Sequence, residues 1–271
     1  MNHHKLKIFA LFAMFFDHTV RIFPLQELFS PICDELTSQG YEQLGMWILI
    51  WLPRVLNYIG RFAAPIFLFC LVEGFVHTAN IKRYFGRILL TAIAAQGPYI
   101  MFDLAENRLI GLTGNWRECG LNILFTLGLG LLALSAFNYL YQRGHTLFGI
   151  SVVALAGVLA RLLQLEGHEG YIFIIFTFYL LRNTKTTTKI LVFIPVILLS
   201  RYRLVAYTLT DNRMFQSCIL NVLGNYLGVL ITCFYSGEKG KSGRKFQLFM
   251  YAFYPVHLLL LAIIGYLRPL F

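Results

Sequence analysis

Apolar residues along this chain come in long unbroken runs, separated by short polar turns, rather than alternating with polar ones. A helix needs roughly 20 apolar residues to cross the hydrocarbon core of a bilayer. By that ruler the pattern predicts about nine spans, at 6–25, 55–77, 87–103, 120–141, 147–164, 170–182, 189–207, 216–235 and 246–267. A further apolar stretch, 44–53, is short and closes at Pro53; it reads as an interfacial helix or as part of a tenth crossing. The expected fold is all-α: one polytopic bundle of about nine to ten transmembrane helices, with residues 1–271 as a single domain. No internal repeat, low-complexity linker or soluble domain breaks the pattern.

Composition agrees. The chain is 58% hydrophobic and 13% charged, where a soluble domain carries roughly 25% charged residues. Its formal net charge of +10 would suggest nucleic acid in a soluble protein. Here the basic residues sit in turns between apolar runs, which points to topology signals and lipid headgroups, and to no nucleic acid.

Those turns alternate in sign. Lys5 and Lys7, then Lys82, Arg83 and Arg87, then Arg143, then Arg182, Lys185 and Lys189, then Lys239, Lys241, Arg244 and Lys245 fall on one side. Glu27, Asp34, Glu35 and Glu42, then Asp103, Glu106 and Glu118, then Glu166 and Glu169 fall on the other. The positive-inside rule then puts the N-terminus in the cytoplasm and the C-terminus outside, in a bacterial inner membrane. Arg201 and Arg203 break the rule, towards the outer end of the seventh span. Cys33 and Cys119 fall in predicted outer segments and are the one pair open to a disulfide. The first apolar run carries Asp17 and His18 and no small-residue cleavage site follows it, so it reads as a span and not as a cleaved signal.

An ionisable residue inside a bilayer is costly and marks a functional site by default. Asp17-His18 is the clearest case. His18 lies about 16 Å along a helix from Lys7, and His257 about 18 Å from Lys245. Two histidines from opposite ends of the chain therefore share one depth. Asp17 and Arg21 are spaced to pair on one helix face, which leaves Asp17 either neutralised by Arg21 or supporting His18, whose near-neutral titration suits proton transfer. Arg61 sits within Gly60-Arg61-Phe-Ala-Ala-Pro65, where Pro65 kinks the helix and Gly60, Ala63 and Ala64 admit a close neighbour. Arg61 reads as an interfacial anchor, a counter-ion to Asp17, or a binder of an anionic group. Asn122 and Thr126 share a face that suits an interhelical hydrogen bond or a substrate contact. Tyr254, one turn before His257, either orients it or packs at an interface. Glu166, His168 and Glu169 lack a third ligand at convincing spacing, so no metal site is expected. No Walker loop, GxSxG or zinc-protease motif occurs.

Taken together, Met14-Phe-Phe-Asp17-His18, Gly60-Arg61-Phe-Ala-Ala-Pro65-Ile-Phe, Asn122-Ile-Leu-Phe, Glu169-Gly170-Tyr171 with Phe178-Tyr179, and Phe253-Tyr254-Pro255-Val-His257 resemble the TraX family of membrane acetyltransferases. That family looks related to the wider transmembrane acyltransferases. Those enzymes carry a basic residue, usually arginine, ten places before a first-helix histidine; Lys7 stands eleven places before His18, one residue further. The resemblance implies transfer of an acetyl group from cytoplasmic acetyl-CoA, without a metal, to an amine or hydroxyl at the outer face. A pilin N-terminus or an envelope glycan or peptide would be the acceptor. His18 would be the catalytic base with Asp17 supporting it; Arg61, Asn122, Tyr254 and His257 would line the substrates. Direct transfer and an acetyl-histidine intermediate both fit. The rival readings are a proton-coupled small-molecule transporter using the same intramembrane charges, and an assembly protein without chemistry.

Overall fold

The computed structural model describes residues 1–23, 25–208, 215–238, 240 and 243–268, without the side chains at 26–28 and 216–217. Lys239, Lys241 and the side chain of Glu27, part of the loop-charge pattern, lie outside what is described. Twelve helices are present among the described residues: α1 (His3–Ile22), α2 (Leu25–Ser38), α3 (Glu42–Gly60), α4 (Ala63–His77), α5 (Ile81–Leu109), α6 (Ile123–Gln142), α7 (Thr146–Leu162), α8 (His168–Leu181), α9 (Thr186–Ser200), α10 (Tyr202–Thr208), α11 (Phe215–Thr232) and α12 (Arg244–Leu267). The chain is an all-helical membrane protein.

Local chemistry sets the helix starts. Asn2 accepts a hydrogen bond from the Lys5 amide at 3.0 Å and opens α1. Asn80 does the same for the Arg83 amide at 2.9 Å and opens α5. Both satisfy backbone donors that have no partner inside the helix.

Two boundaries correct the sequence reading. Pro53 does not end a segment: α3 runs through it to Gly60. A two-residue break at Arg61-Phe62 interrupts the predicted span 55–77 between α3 and α4, while Glu42–His77 as a whole still forms one stretch long and apolar enough to cross a bilayer. Pro65 explains the division. It cannot donate to the Arg61 carbonyl and its ring crowds that group, so proline is tolerated only in the first turn of a new helix.

The count of crossings also differs. Four helical stretches are long and apolar enough to span a bilayer, and a fifth is reached if α9 and α10, bent by 68°, count as one. The nine to ten expected are not reproduced by this measure, because α7, α8 and the Cys218–Thr232 part of α11 are shorter than a full span and α1 carries Lys5, Lys7, Asp17 and Arg21.

α12 packs along α5, and α1 lies against α3, α4 and α12, so the first and last helices meet inside the bundle. At one end, the Met1 ammonium donates to Phe234 O and the His3 amide to Glu238 O. At the other end, Arg268 donates to Ile22 O at 2.6 Å and Arg108 to Gly265 O at 3.0 Å. These bonds tie the N-terminus to the turn after α11 at one end, and the ends of α1, α5 and α12 together at the other. All five cysteines are free. Cys119 is 3.1 Å from an Asp103 carboxylate oxygen rather than bonded to Cys33, and desolvation together with that carboxylate pushes its thiol up to about 12.

Candidate functional site

α1 and α12 bring His18 and His257 into direct contact, with His18 Nδ1 and His257 Nε2 2.9 Å apart. His257 Nδ1 is 2.7 Å from Phe253 O. A carbonyl only accepts, so Nδ1 of His257 carries the proton. In a neutral His257, Nε2 is then the lone-pair acceptor, and His18 Nδ1–H must donate to it. That leaves His18 Nε2 with a lone pair whenever His18 is neutral. The rings are held in place: Phe253 stacks on His257 at 4.8 Å between centroids, and Phe102 meets His18 edge-on at 5.1 Å.

Asp17 points away from this pair, as adjacent residues on a helix must. Arg21 Nη2 donates to its Oδ2 at 2.9 Å, and Arg61 Nη1 lies 3.2 Å from Oδ1. The second contact depends on Gly60: a Cβ there would sit 2.6 Å from that of Asp17, so only glycine lets the end of α3 come this close to α1. Gly224 does the same from α11, where a Cβ would stand 2.6 Å from Arg61 Cβ. Arg21 also reaches Glu106 at 3.5 Å. The two readings of Asp17 as partner of Arg21 and of Arg61 hold together, because one carboxylate bridges both.

These groups line a cavity of about 70 Å³. His18, Asp17, Arg21, Arg61 and Tyr254 face it. Of the residues expected from the sequence, only His257 and Asn122 stand outside the lining, and His257 reaches it through His18. Tyr254 makes no hydrogen bond to His257; its ring is 5.8 Å away and its hydroxyl is buried without a partner.

Asn122 is set apart from the cavity. Its Nδ2 donates to Ala92 O at 2.9 Å and to Gln96 Oε1 at 2.8 Å, while its Oδ1 accepts from the Leu124 amide at 3.0 Å. Its hydrogen-bonding capacity goes into capping α6 and tying it to α5.

Glu166, Tyr171, Arg201 and Asn225 join the lining although the sequence reading gave none of them a catalytic or binding role. Glu166 accepts from the Ile123 amide at 3.0 Å, closing the α6 N-terminus beside Asn122. Its turn is held by left-handed backbone at Gln164 (φ 51°), Gly167 (φ 77°) and His168 (φ 47°). Desolvation raises the Glu166 carboxyl above the ordinary glutamate range, with Arg21 opposing. Glu169 is bound to Arg161 instead. Among the described residues, no three His, Cys, Asp or Glu side chains gather as metal ligands would.

A second, larger cavity of about 370 Å³ opens at the end holding the N-terminus, lined by His3, Lys7, Glu73, His77, Arg87 and Tyr251 among others. Phe67 is a residue that lines both cavities.

Comparison with known proteins adds three findings. The family described as TraX protein matches residues 2–265. A relative from Dichelobacter nodosus, named "Probable fimbrial assembly protein FimC, serogroup H1", is 29% identical over 271 residues, covering 95% of this chain and 93% of the relative. No solved structure matches.

Proposed function

Because the chain belongs to the TraX family, we propose that it is a membrane-embedded acetyltransferase that uses acetyl-CoA and acts on a pilin or another envelope component. The name of the relative, which concerns fimbrial assembly, supports an acceptor of that kind.

The observation that carries the reading is the directed hydrogen bond from His18 to His257. It makes His18 Nε2 a base of defined tautomer, facing a cavity and held by a partner that stays in place when His18 gains a proton. In this reading the acceptor amine or hydroxyl gives its proton to His18 Nε2 as it attacks the thioester carbonyl carbon. The developing oxyanion is met by Arg61, whose Nε is buried without a partner and so has a donor to offer. The intermediate collapses, the C–S bond breaks, and the leaving thiolate takes the proton back from His18. Asp17 fixes Arg61 and balances its charge.

The larger cavity suits the donor: its volume of about 370 Å³ lies within the range for small-molecule sites, roughly 300–1,000 Å³. Lys7 and Arg87 line it, and cations there suit the CoA phosphates. With the basic loops in the cytoplasm, the donor would enter from that side of the inner membrane and the acceptor from the other, across nine to ten crossings made partly of short helices. The test is acetyl-CoA-dependent acetylation by membranes carrying wild type or His18→Ala. The variant is expected to lose the activity, and full activity in it would end the proposal.

A further inference from the structure

Arg201 occupies an unusual position. It sits between α9 and α10, where the helix path turns by 68°, and it lines the same cavity as His18. Helices broken within a membrane protein are tolerated where the broken backbone is covered by protein or lines a cavity, and such breaks commonly build substrate sites. Its Nη2 donates to two neutral oxygens, Tyr171 Oη at 3.0 Å and Asn225 Oδ1 at 3.3 Å, and its Nε is buried with no partner. No carboxylate among the described residues stands within ion-pair distance of it. The neighbouring cations differ in this: Arg21 is paired with Asp17 and Glu106, and Arg61 with Asp17.

Of the three guanidinium groups that line the cavity, Arg21 and Arg61 are ion-paired, with Asp17 and Glu106, while Arg201 feels Glu166 only at longer range. Arg201 is therefore the lining guanidinium that has no carboxylate close by among the described residues. A guanidinium in a closed site is stable only when paired, and its planar fork matches a carboxylate or a phosphate.

We propose that Arg201 binds an anionic group, a carboxylate or a phosphate, on the acyl acceptor, and so sets the acceptor's nucleophile against His18. This rests on the acetyltransferase reading for the identity of the ligand, but not for the existence of the anion site. A cavity of about 70 Å³ takes one end of such a molecule, and the rest would extend past the α9–α10 break. Tyr171 and Asn225 are positioning residues: they spend Nη2 and leave the remaining N–H groups of Arg201 for the ligand.

The test needs no turnover. Detergent-purified full-length protein is melted in inorganic phosphate, in acetate, and in chloride at matched ionic strength. Wild type is expected to be protected relative to chloride, Arg201→Gln to lose that protection, and Arg201→Lys, which keeps the charge without the fork, to retain part of it. Protection by phosphate alone assigns a phosphoryl group to the acceptor, and protection by acetate alone a carboxylate. Absence of protection in wild type, or equal protection in Arg201→Gln, overturns the proposal. If Arg201→Gln does not fold, Tyr171→Phe should show the same loss in smaller measure, and undiminished protection there overturns the proposal as well. Once an acceptor is in hand, its KM should rise about ten- to a hundredfold in Arg201→Gln, with the acetyl-CoA KM unmoved. Active His18→Ala protein with intact anion protection would defeat the acetyltransferase reading and leave the anion site standing.

Discussion

His18 Nδ1 donates to His257 Nε2 across 2.9 Å because His257 spends its other nitrogen on the Phe253 carbonyl. The two residues are therefore unequal. Loss of His18 should lower acetyl transfer by about 10²- to 10⁴-fold, the usual range for a general base. Loss of His257 removes one orienting hydrogen bond, so His257→Ala should lose about ten- to a hundredfold. His257→Gln, with an oxygen able to accept from His18, should recover part of that. Single-turnover rates in membranes would compare the four proteins, and equal losses in His18→Ala and His257→Ala would contradict the direction of the bond.

Asp17 holds Arg21 and Arg61 at once. Removing one member of a buried ion pair costs about 3–5 kcal/mol, so Asp17→Asn should lower the melting temperature sharply as well as the activity. Asp17→Asn combined with Arg61→Gln should lose less stability than the two separate losses added together, by about 0.5–3 kcal/mol. Thermal unfolding in detergent would measure this, and strict additivity would mean that the contact does not couple the two residues.

Asn122 is predicted to matter for stability and not for substrate binding. Asn122→Ala loses the α6 cap, worth about 0.5–2 kcal/mol, and removes the side-chain donor to Ala92 O and to Gln96 Oε1, the latter keeping its bond from the residue-122 amide. Asn122→Asp keeps the cap and loses the two donated bonds, so it should fall between wild type and Asn122→Ala. The KM of each substrate should be unchanged in both. A raised acceptor KM would restore Asn122 to a binding role.

Glu166 gives a pH signature. Its carboxyl is raised in the folded protein, against an unfolded value of about 4.3. A raised group stabilises the fold fully below the unfolded pKa, and that contribution disappears as pH climbs through the folded one. Glu166→Gln keeps an oxygen for the Ile123 amide without the ionisation. The melting temperature of wild type should therefore fall relative to that of Glu166→Gln as pH rises from acid towards neutral. Parallel curves across that window would show that Glu166 ionises in the folded protein as it does in the unfolded chain.

Much of this was legible in the sequence. Apolar runs located most of the helices, because a bilayer leaves few alternatives, though not α2 or the break between α9 and α10, and counting residues from Lys7 and Lys245 put His18 and His257 at one depth before any contact was known. Spacing gave Asp17 to Arg21. Other features were hidden. The division at Arg61-Phe62 follows from Pro65, but a proline can bend a span or divide it, and only the neighbours decide. Asn122 was open to an interhelical hydrogen bond or a substrate contact; its bonds to Ala92 O and Gln96 favour the first and depend on where α5 lies. Arg201 did leave a trace, since it broke the alternation of loop charges. Glu166 left none, because an acidic residue in an outer turn is what topology predicts, and only the fold of 164–168 carries it inward.

Phe67 has a consequence beyond catalysis. A protein open to donors from one compartment and acceptors from the other gives ions a path, and at 100 mV each elementary charge that crosses dissipates about 2.3 kcal/mol. One aromatic side chain, Phe67, lines both cavities. On the proposed reading that ring would act as an electrical seal, which the acyl group must pass and the membrane's charge must not. Its size is thus set by two opposed demands, insulation and passage.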